Sequence, residues 1–189
     1  VFNGFGQSDF MWMLRTNKNI QKIYQKIYKT KKLVTSFDGF SLYVSKKQKS
    51  KPWLHIDQSP NNEIYSVQGQ YNFFPVEEND SGFVVIPKSH KKFKPKTHKM
   101  NDWYVLKNED LENLKEPVKL VIPENCFTLW DSKLVHANTF TTKKKLEVIN
   151  RVTAYITFLP KELRTKEIKK ERILAYKNSK TTSHWANKC

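Results

Sequence analysis

From Phe40 to Leu159 the chain advances in short apolar runs: FSLYVS (40–45), SVQGQYNFF (66–74), GFVVIP (82–87), KLVIP (119–123), CFTLWD (126–131) and RVTAYITFL (151–159). Each is rich in Val, Ile, Thr, Phe or Tyr and is bounded by Pro, Asn, Asp or Gly. β-Branched and aromatic side chains suit a pleated surface, and the bounding residues favour turns. The pattern predicts an antiparallel, mainly β core closed as a sandwich or small barrel. Within it VEENDSG (76–82) reads as a hairpin connection, with Asp80 and Gly82 supplying the turn chemistry.

The flanks follow another period. In NKNIQKIYQKIYKTKKL (17–33), Ile20, Ile23, Tyr24, Ile27 and Tyr28 recur at helical spacing, with lysines on the opposite face. Asn17 or Asn19 would cap this helix. EDLENL (109–114) suggests a turn or two of helix, and PKELRTKEIKKERILAY (160–176) a further one. With no internal repeat and no low-complexity linker, residues 1–189 are expected to form one domain. Its parts are a helical flank (1–33), a β core (34–160) and a basic C-terminal segment (161–189).

Composition narrows the function. Hydrophobic residues make up 38% and aromatics 13%, too much apolar bulk for a disordered chain. No stretch approaches the roughly 18 apolar residues of a membrane span, and the first residues lack a signal-peptide pattern. Cys126 and Cys189 are too few for a disulfide framework, so a reducing, intracellular (cytoplasmic) setting is expected. The net charge of +16 suits an anionic partner, but only Arg15, Arg151, Arg164 and Arg172 are arginines. Arginine is the better residue for two-pronged phosphate and base contacts. Nucleic acid is therefore a less favoured partner than a small molecule or peptide.

There is no CxxC pair, no nucleophile elbow and no Walker loop, and five glycines leave little for phosphate-cradling loops. The chemistry falls to the five histidines. In WLHIDQSP (53–60) alternation places His55 and Asp57 on one strand face and Leu54 and Ile56 on the other. Alone, H-x-D is an unspecific tripeptide. A second apolar segment, FTLWDSKLVHANTF (127–140), delivers His136, and Arg151 opens the next run. Two histidines and one carboxylate on one side of a metal leave adjacent positions open, as Fe(II) oxygenases require. A buried Arg151 would then grip the far carboxylate of 2-oxoglutarate, or else pair with a buried Asp or Glu.

The order of WLHIDQSP, SVQGQYNFFP, SGFVVIPKSHKKF, FTLWDSKLVHAN and NRVTAYITFLP resembles the phytanoyl-CoA dioxygenase-like proteins, Fe(II)- and 2-oxoglutarate-dependent oxygenases. SFDGF (36–40) and TTSHW (181–185) resemble the flanks of a branch found in fungi and large DNA viruses. The resemblance covers about residues 10–186 and implies a double-stranded β-helix (jelly-roll, cupin-like) core. It also implies iron held by His55, Asp57 and His136, with 2-oxoglutarate and O2 as cosubstrates. Arg151 matches the residue that pairs with the far carboxylate of 2-oxoglutarate. Asn138 falls where a hydroxyl residue near that cosubstrate is common, and Gln68 and Tyr71 are expected to line the pocket. His90, His98 and His184 read as structural, with contact to substrate as the alternative for each. Retention of Asp57 favours hydroxylation over halogenation, because halogenating relatives lack that carboxylate.

Three classes of protein fit these residues. The first is an oxygenase of a small molecule, an amino acid or a peptide side chain, with an anionic acyl-CoA among the candidates. The second is a catalytically silent jelly-roll binding or structural protein of a virion. The third is an oxygenase of nucleic acid, guided by the lysine clusters at 88–99, 142–146 and 165–172. Those clusters hold only Phe93 for stacking bases, and charge runs are usually solvated faces.

Overall fold

The structure is a computed structural model and describes residues 4–44, 53–94, 102–143 and 149–189. Two antiparallel sheets form its core. The first has the order β2–β10–β4–β8, from β2 (Phe40–Val44), β4 (Val67–Asn72), β8 (Cys126–Asp131) and β10 (Ile149–Tyr155). The second has the order β6–β3–β9–β5–β7, from β3 (His55–Ile56), β5 (Gly82–Val85), β6 (Tyr104–Val105), β7 (Val118–Lys119) and β9 (His136–Thr139). A separate pair joins β1 (Leu33–Thr35) to β11 (Phe158–Pro160). Trp130 of β8 packs with Phe83 and Val85 of β5, so the two sheets meet face to face as a jelly roll.

The expected hairpin at 76–82 is not one. β4 and β5 lie in different sheets, and the segment between them crosses from one to the other. It is pinned by a bridge between Val76 and Ile122, and the Asp80 carboxylate accepts from the Glu77 amide at 3.0 Å. Turn chemistry bends a chain locally but does not say which sheet receives the next strand.

The helical stripe at 17–33 forms α2 (Lys18–Tyr28), and the Asn17 side chain caps it by accepting from the Asn19 and Ile20 amides. Within the expected helical flank a second helix precedes it, α1 (Asp9–Thr16), capped by Ser8. Both pack their buried residues on the outer face of the first sheet, where Met11, Leu14, Ile20 and Tyr24 meet Ala154 and Ile156. Gly69 of β4 makes this approach close: a Cβ there would lie 2.4 Å from Phe127 and 2.6 Å from the Tyr24 hydroxyl. The remaining helices are α3 (Ser89–Lys92), α4 (Asn108–Leu111) and α5 (Lys166–Lys177). Among the described residues no helix is long and apolar enough to cross a membrane. Cys126 and Cys189 are free.

Strand β4 of the first sheet is polar inside and apolar outside, the reverse of an ordinary core strand. Along β4, Gln68, Gln70 and Asn72 are buried towards the second sheet, while Gly69 and Tyr71 face the helices. Buried polar side chains need partners, and these find one another. Asn72 contacts both Thr153 (3.3 Å) and Thr128 (3.4 Å), and Arg151 donates to Gln70 at 3.2 Å. An interior that keeps so many hydrogen-bonding groups out of water is the setting of a binding site.

Candidate active site

His55 and His136 sit directly opposite each other on β3 and β9, with ring centroids 4.3 Å apart. Strand β3 is only two residues long and ends at Ile56. Asp57 lies in the bend beyond it, where its amide bonds to the Ser132 carbonyl at 3.1 Å. That bond extends the strand's alternation by one residue, so the carboxylate still turns to the side of His55. Asp57 lies 3.8 Å from His55 Nε2 and 3.3 Å from His136 Nε2. The three donor atoms fall within 4.8 Å of one another, a spacing suited to one metal ion.

Hydrogen bonding shows what these donors require. His55 Nδ1 lies 3.1 Å from the Trp53 carbonyl, and His136 Nδ1 lies 2.8 Å from the Leu134 carbonyl. A carbonyl only accepts, so each Nδ1 carries the proton and each neutral ring turns the lone pair of Nε2 inward. Two lone pairs and a carboxylate converging on one point repel unless a positive charge lies between them. Burial and the neighbouring His136 lower the His55 pKa to about 4, so its ring resists supplying that charge as a proton. Burial opposes ionisation of Asp57, yet a proton taken up at His136 Nε2 would hydrogen-bond to its carboxylate and, with His184 and His55, hold the carboxyl well below the usual range; the same point suits a metal ion in that proton's place. Gln68 fixes the carboxylate by donating from Nε2 to Oδ2 at 2.9 Å. The donor set fits a divalent transition metal, with the outer hydrogen bonds that orient such ligands already formed.

Arg151 is 1% exposed on β10. Its partners are amides: Asn138 Oδ1 at 2.7 Å and Gln70 Oε1 at 3.2 Å, with Nε unpartnered and the guanidinium 5.1 Å from the Tyr43 ring centroid. Among the described residues no Asp or Glu forms an ion pair with it, so the alternative of a buried carboxylate partner finds no support. Asn138 lines the cavity, and its Nδ2 lies 3.4 Å from the Tyr155 hydroxyl. Arg151 is not among the cavity's lining residues and stands behind Asn138 as its hydrogen-bond partner.

Tyr71 does not reach it. Odd-numbered positions of β4 face the helices, and the Tyr71 hydroxyl donates outward to Asn125 at 3.0 Å. The expectation that Gln68 and Tyr71 share the pocket breaks the period-2 rule, and Gln70 is the strand's second inward contributor. His90 lies on α3 and does not line the cavity, and His98 lies outside the described residues.

A cavity of about 730 Å³ opens over the triad. His184, expected to be structural, lines it, and its Nε2 is buried without a hydrogen-bond partner. Asp38, Trp103, Trp185 and Lys188 are further lining residues that the motifs did not nominate. The signal was present in SFDGF and TTSHW, whose juxtaposition is visible only in the fold. The Thr182 amide bonds to the Phe37 carbonyl at 3.0 Å, and Arg15 donates to the Asp38 carbonyl at 2.5 Å. Of the lysine clusters, 95–99 and 144–146 lie outside the described residues.

No family model matches the sequence. The chain is 27% identical over 193 residues to Ava biosynthesis cluster protein O of Aspergillus versicolor, covering 88% of this chain and 59% of that protein. It therefore spans about three-fifths of the length of that relative. Its fold is that of non-haem iron, α-ketoglutarate-dependent enzymes. The epimerase SnoN, solved with Fe3+, α-ketoglutarate and nogalamycin RO, superposes with a TM-score of 0.60 at 14% identity, over 85% of this chain and 62% of that one. The non-haem monooxygenase ThoJ superposes with a TM-score of 0.56 at 7% identity, over 85% and 61%. At such identities the likeness is one of fold.

Proposed function

We propose that this protein is an Fe(II)- and 2-oxoglutarate-dependent oxidoreductase of a small molecule, and that its reaction is hydroxylation. The observation that carries this reading is the convergence of His55 Nε2, His136 Nε2 and the Asp57 carboxylate at a point that needs a cation. These three would hold the iron, with Gln68 keeping the carboxylate turned towards it. The Arg151 guanidinium, hydrogen-bonded to Asn138, would receive the far carboxylate of 2-oxoglutarate; a charge-assisted contact in a dry interior orients strongly. When bound, iron, 2-oxoglutarate and O2 supply the oxidising power, one oxygen atom going to substrate and the other to succinate as CO2 leaves.

The chain's own residues then position and shield. Trp53 stacks on the His55 ring (4.3 Å between centroids, 8° between planes), and Phe83 and Trp130 pack on His136. These contacts fix both imidazoles and limit water around them. A fold that carries both an epimerase and a monooxygenase does not dictate the outcome. Asp57 argues against halogenation, because its carboxylate would fill the position that halide takes in halogenating relatives. Hydroxylation is supported by the resemblance to the phytanoyl-CoA dioxygenase-like family, and a small-molecule substrate by similarity to a biosynthesis cluster protein.

The test is succinate release from 2-oxoglutarate with Fe(II) and O2, with and without candidate substrates. Turnover in the wild type and its loss in His136→Ala are expected. Equal succinate release from both proteins would refute the assignment.

A further inference from the structure

The chain carries a formal charge of +16. Among the described residues, the charged side chains lining the cavity are Asp38, Asp57, Asp102 and Lys188. Lys188 is already committed: its Nζ lies 2.6 Å from Asp102 and 4.5 Å from the Trp185 ring centroid. Asp102 also accepts from the Asn62 side chain and the Ser59 amide. Asp57 belongs to the metal triad. That leaves Asp38, whose carboxylate accepts from the Gly39 amide at 2.8 Å and, among the described residues, forms no ion pair. Among the described residues the cavity therefore has one uncommitted carboxyl and no uncommitted cation.

Its walls are equally distinctive. Four of the chain's five tryptophans line it: Trp53, Trp103, Trp130 and Trp185. Trp53 and Trp103 are 46% and 56% exposed, with centroids 6.4 Å apart. Leaving two large rings in water at a cavity mouth sacrifices apolar burial that a substrate would restore. Flat indole faces favour flat partners, and their negative faces favour cations.

We propose that the cavity takes a flat ring substrate bearing a basic nitrogen, packed against Trp53 and Trp103 and anchored through that nitrogen to the Asp38 carboxylate. Asp38 is then a specificity-determining residue, and acyl-CoA and nucleic acid are poor fits to the lining. The inference rests on the reading of this cavity as the substrate site. Burial and the nearby Asp57 raise the Asp38 carboxyl to about 7, although the Gly39 amide and Arg15 work against the rise. A cationic substrate would supply the missing counter-charge.

Isothermal calorimetry with 2-naphthylmethylamine, 2-naphthylmethanol and 2-naphthoate tests this on the full chain, first without metal and then with Zn(II) and 2-oxoglutarate. The amine should bind about tenfold more tightly than the alcohol, and the carboxylate most weakly. Asp38→Asn should bring the amine to within about twofold of the alcohol without changing the alcohol's affinity. Trp103→Ala, at an exposed site, should weaken all three alike. A carboxylate that binds as well as the amine, or an amine preference that survives Asp38→Asn, would overturn the proposal. The metal-free titration does not depend on the iron assignment, so a failure there is distinct from the loss of succinate formation.

Discussion

If His55, Asp57 and His136 form a metal site in the folded chain, the metal must stabilise the fold, because the unfolded chain scatters the three ligands across 82 residues. A ligand that binds only the native state adds about 2.7 kcal/mol at a hundredfold excess over its Kd. Unfolding entropy near 2.1 cal/mol/K per residue gives on the order of 400 cal/mol/K for a chain of this length, so the melting temperature should rise by about 7 °C. The assay is anaerobic differential scanning fluorimetry across an Fe(II) titration, with Mg(II) as control. Two of the three donors are imidazole nitrogens, which Mg(II) binds poorly, so Mg(II) should shift the midpoint little. His136→Ala leaves one imidazole and one carboxylate and should lose most of the Fe(II) shift. An equal shift in His136→Ala, or none in the wild type at saturating Fe(II), would refute the assignment of these residues as ligands.

Two further outcomes follow from the packing and the electrostatics. Gly69→Ala would drive a methyl group to 2.4 Å from Phe127 and 2.6 Å from the Tyr24 hydroxyl, which is held by the Ile156 carbonyl at 2.7 Å. Overpacking there should cost about 1–3 kcal/mol and lower the midpoint by several degrees in a thermal melt. Asp38→Asn should stabilise the protein at pH 8 but not at pH 4. Its carboxyl titrates near 7 when folded, against an ordinary 3.8. Between those values the unfolded chain releases the proton first, so stability falls as pH rises and the full penalty, at most about 4 kcal/mol, is present above 7. Chemical denaturation of both proteins at the two pH values measures the difference.

Local pattern carried far where local physics decides. Asn17 caps α2 because an amide side chain at that position satisfies the first free backbone donors, whatever lies beyond the helix. The run CFTLWD became β8 over the same six residues, since its β-branched and aromatic side chains suit a sheet. H-x-D and a later histidine read as one site because two imidazoles and a carboxylate suit iron, and their order with the arginine resembles that of the phytanoyl-CoA dioxygenase-like proteins. The strand's alternation separates Tyr71 from Gln68, and the structure places Tyr71 on the helix side.

Other features were beyond any local reading. The crossover at 76–82 uses the same turn residues as a hairpin, and only the pairing of β5 with β9 shows that the chain has changed sheets. Asp38 and His184 lie 146 positions apart, and nothing in either segment says that they line one cavity. The sequence by itself determined most strands of the first sheet, α2 and the residue types able to hold a metal, because period, propensity and ligand chemistry act over a few neighbours. Only the tertiary structure decided that three lone-pair donors meet at one point and that, among the described residues, Lys188 is the one Lys or Arg lining the cavity, because long-range packing sets which side chains meet.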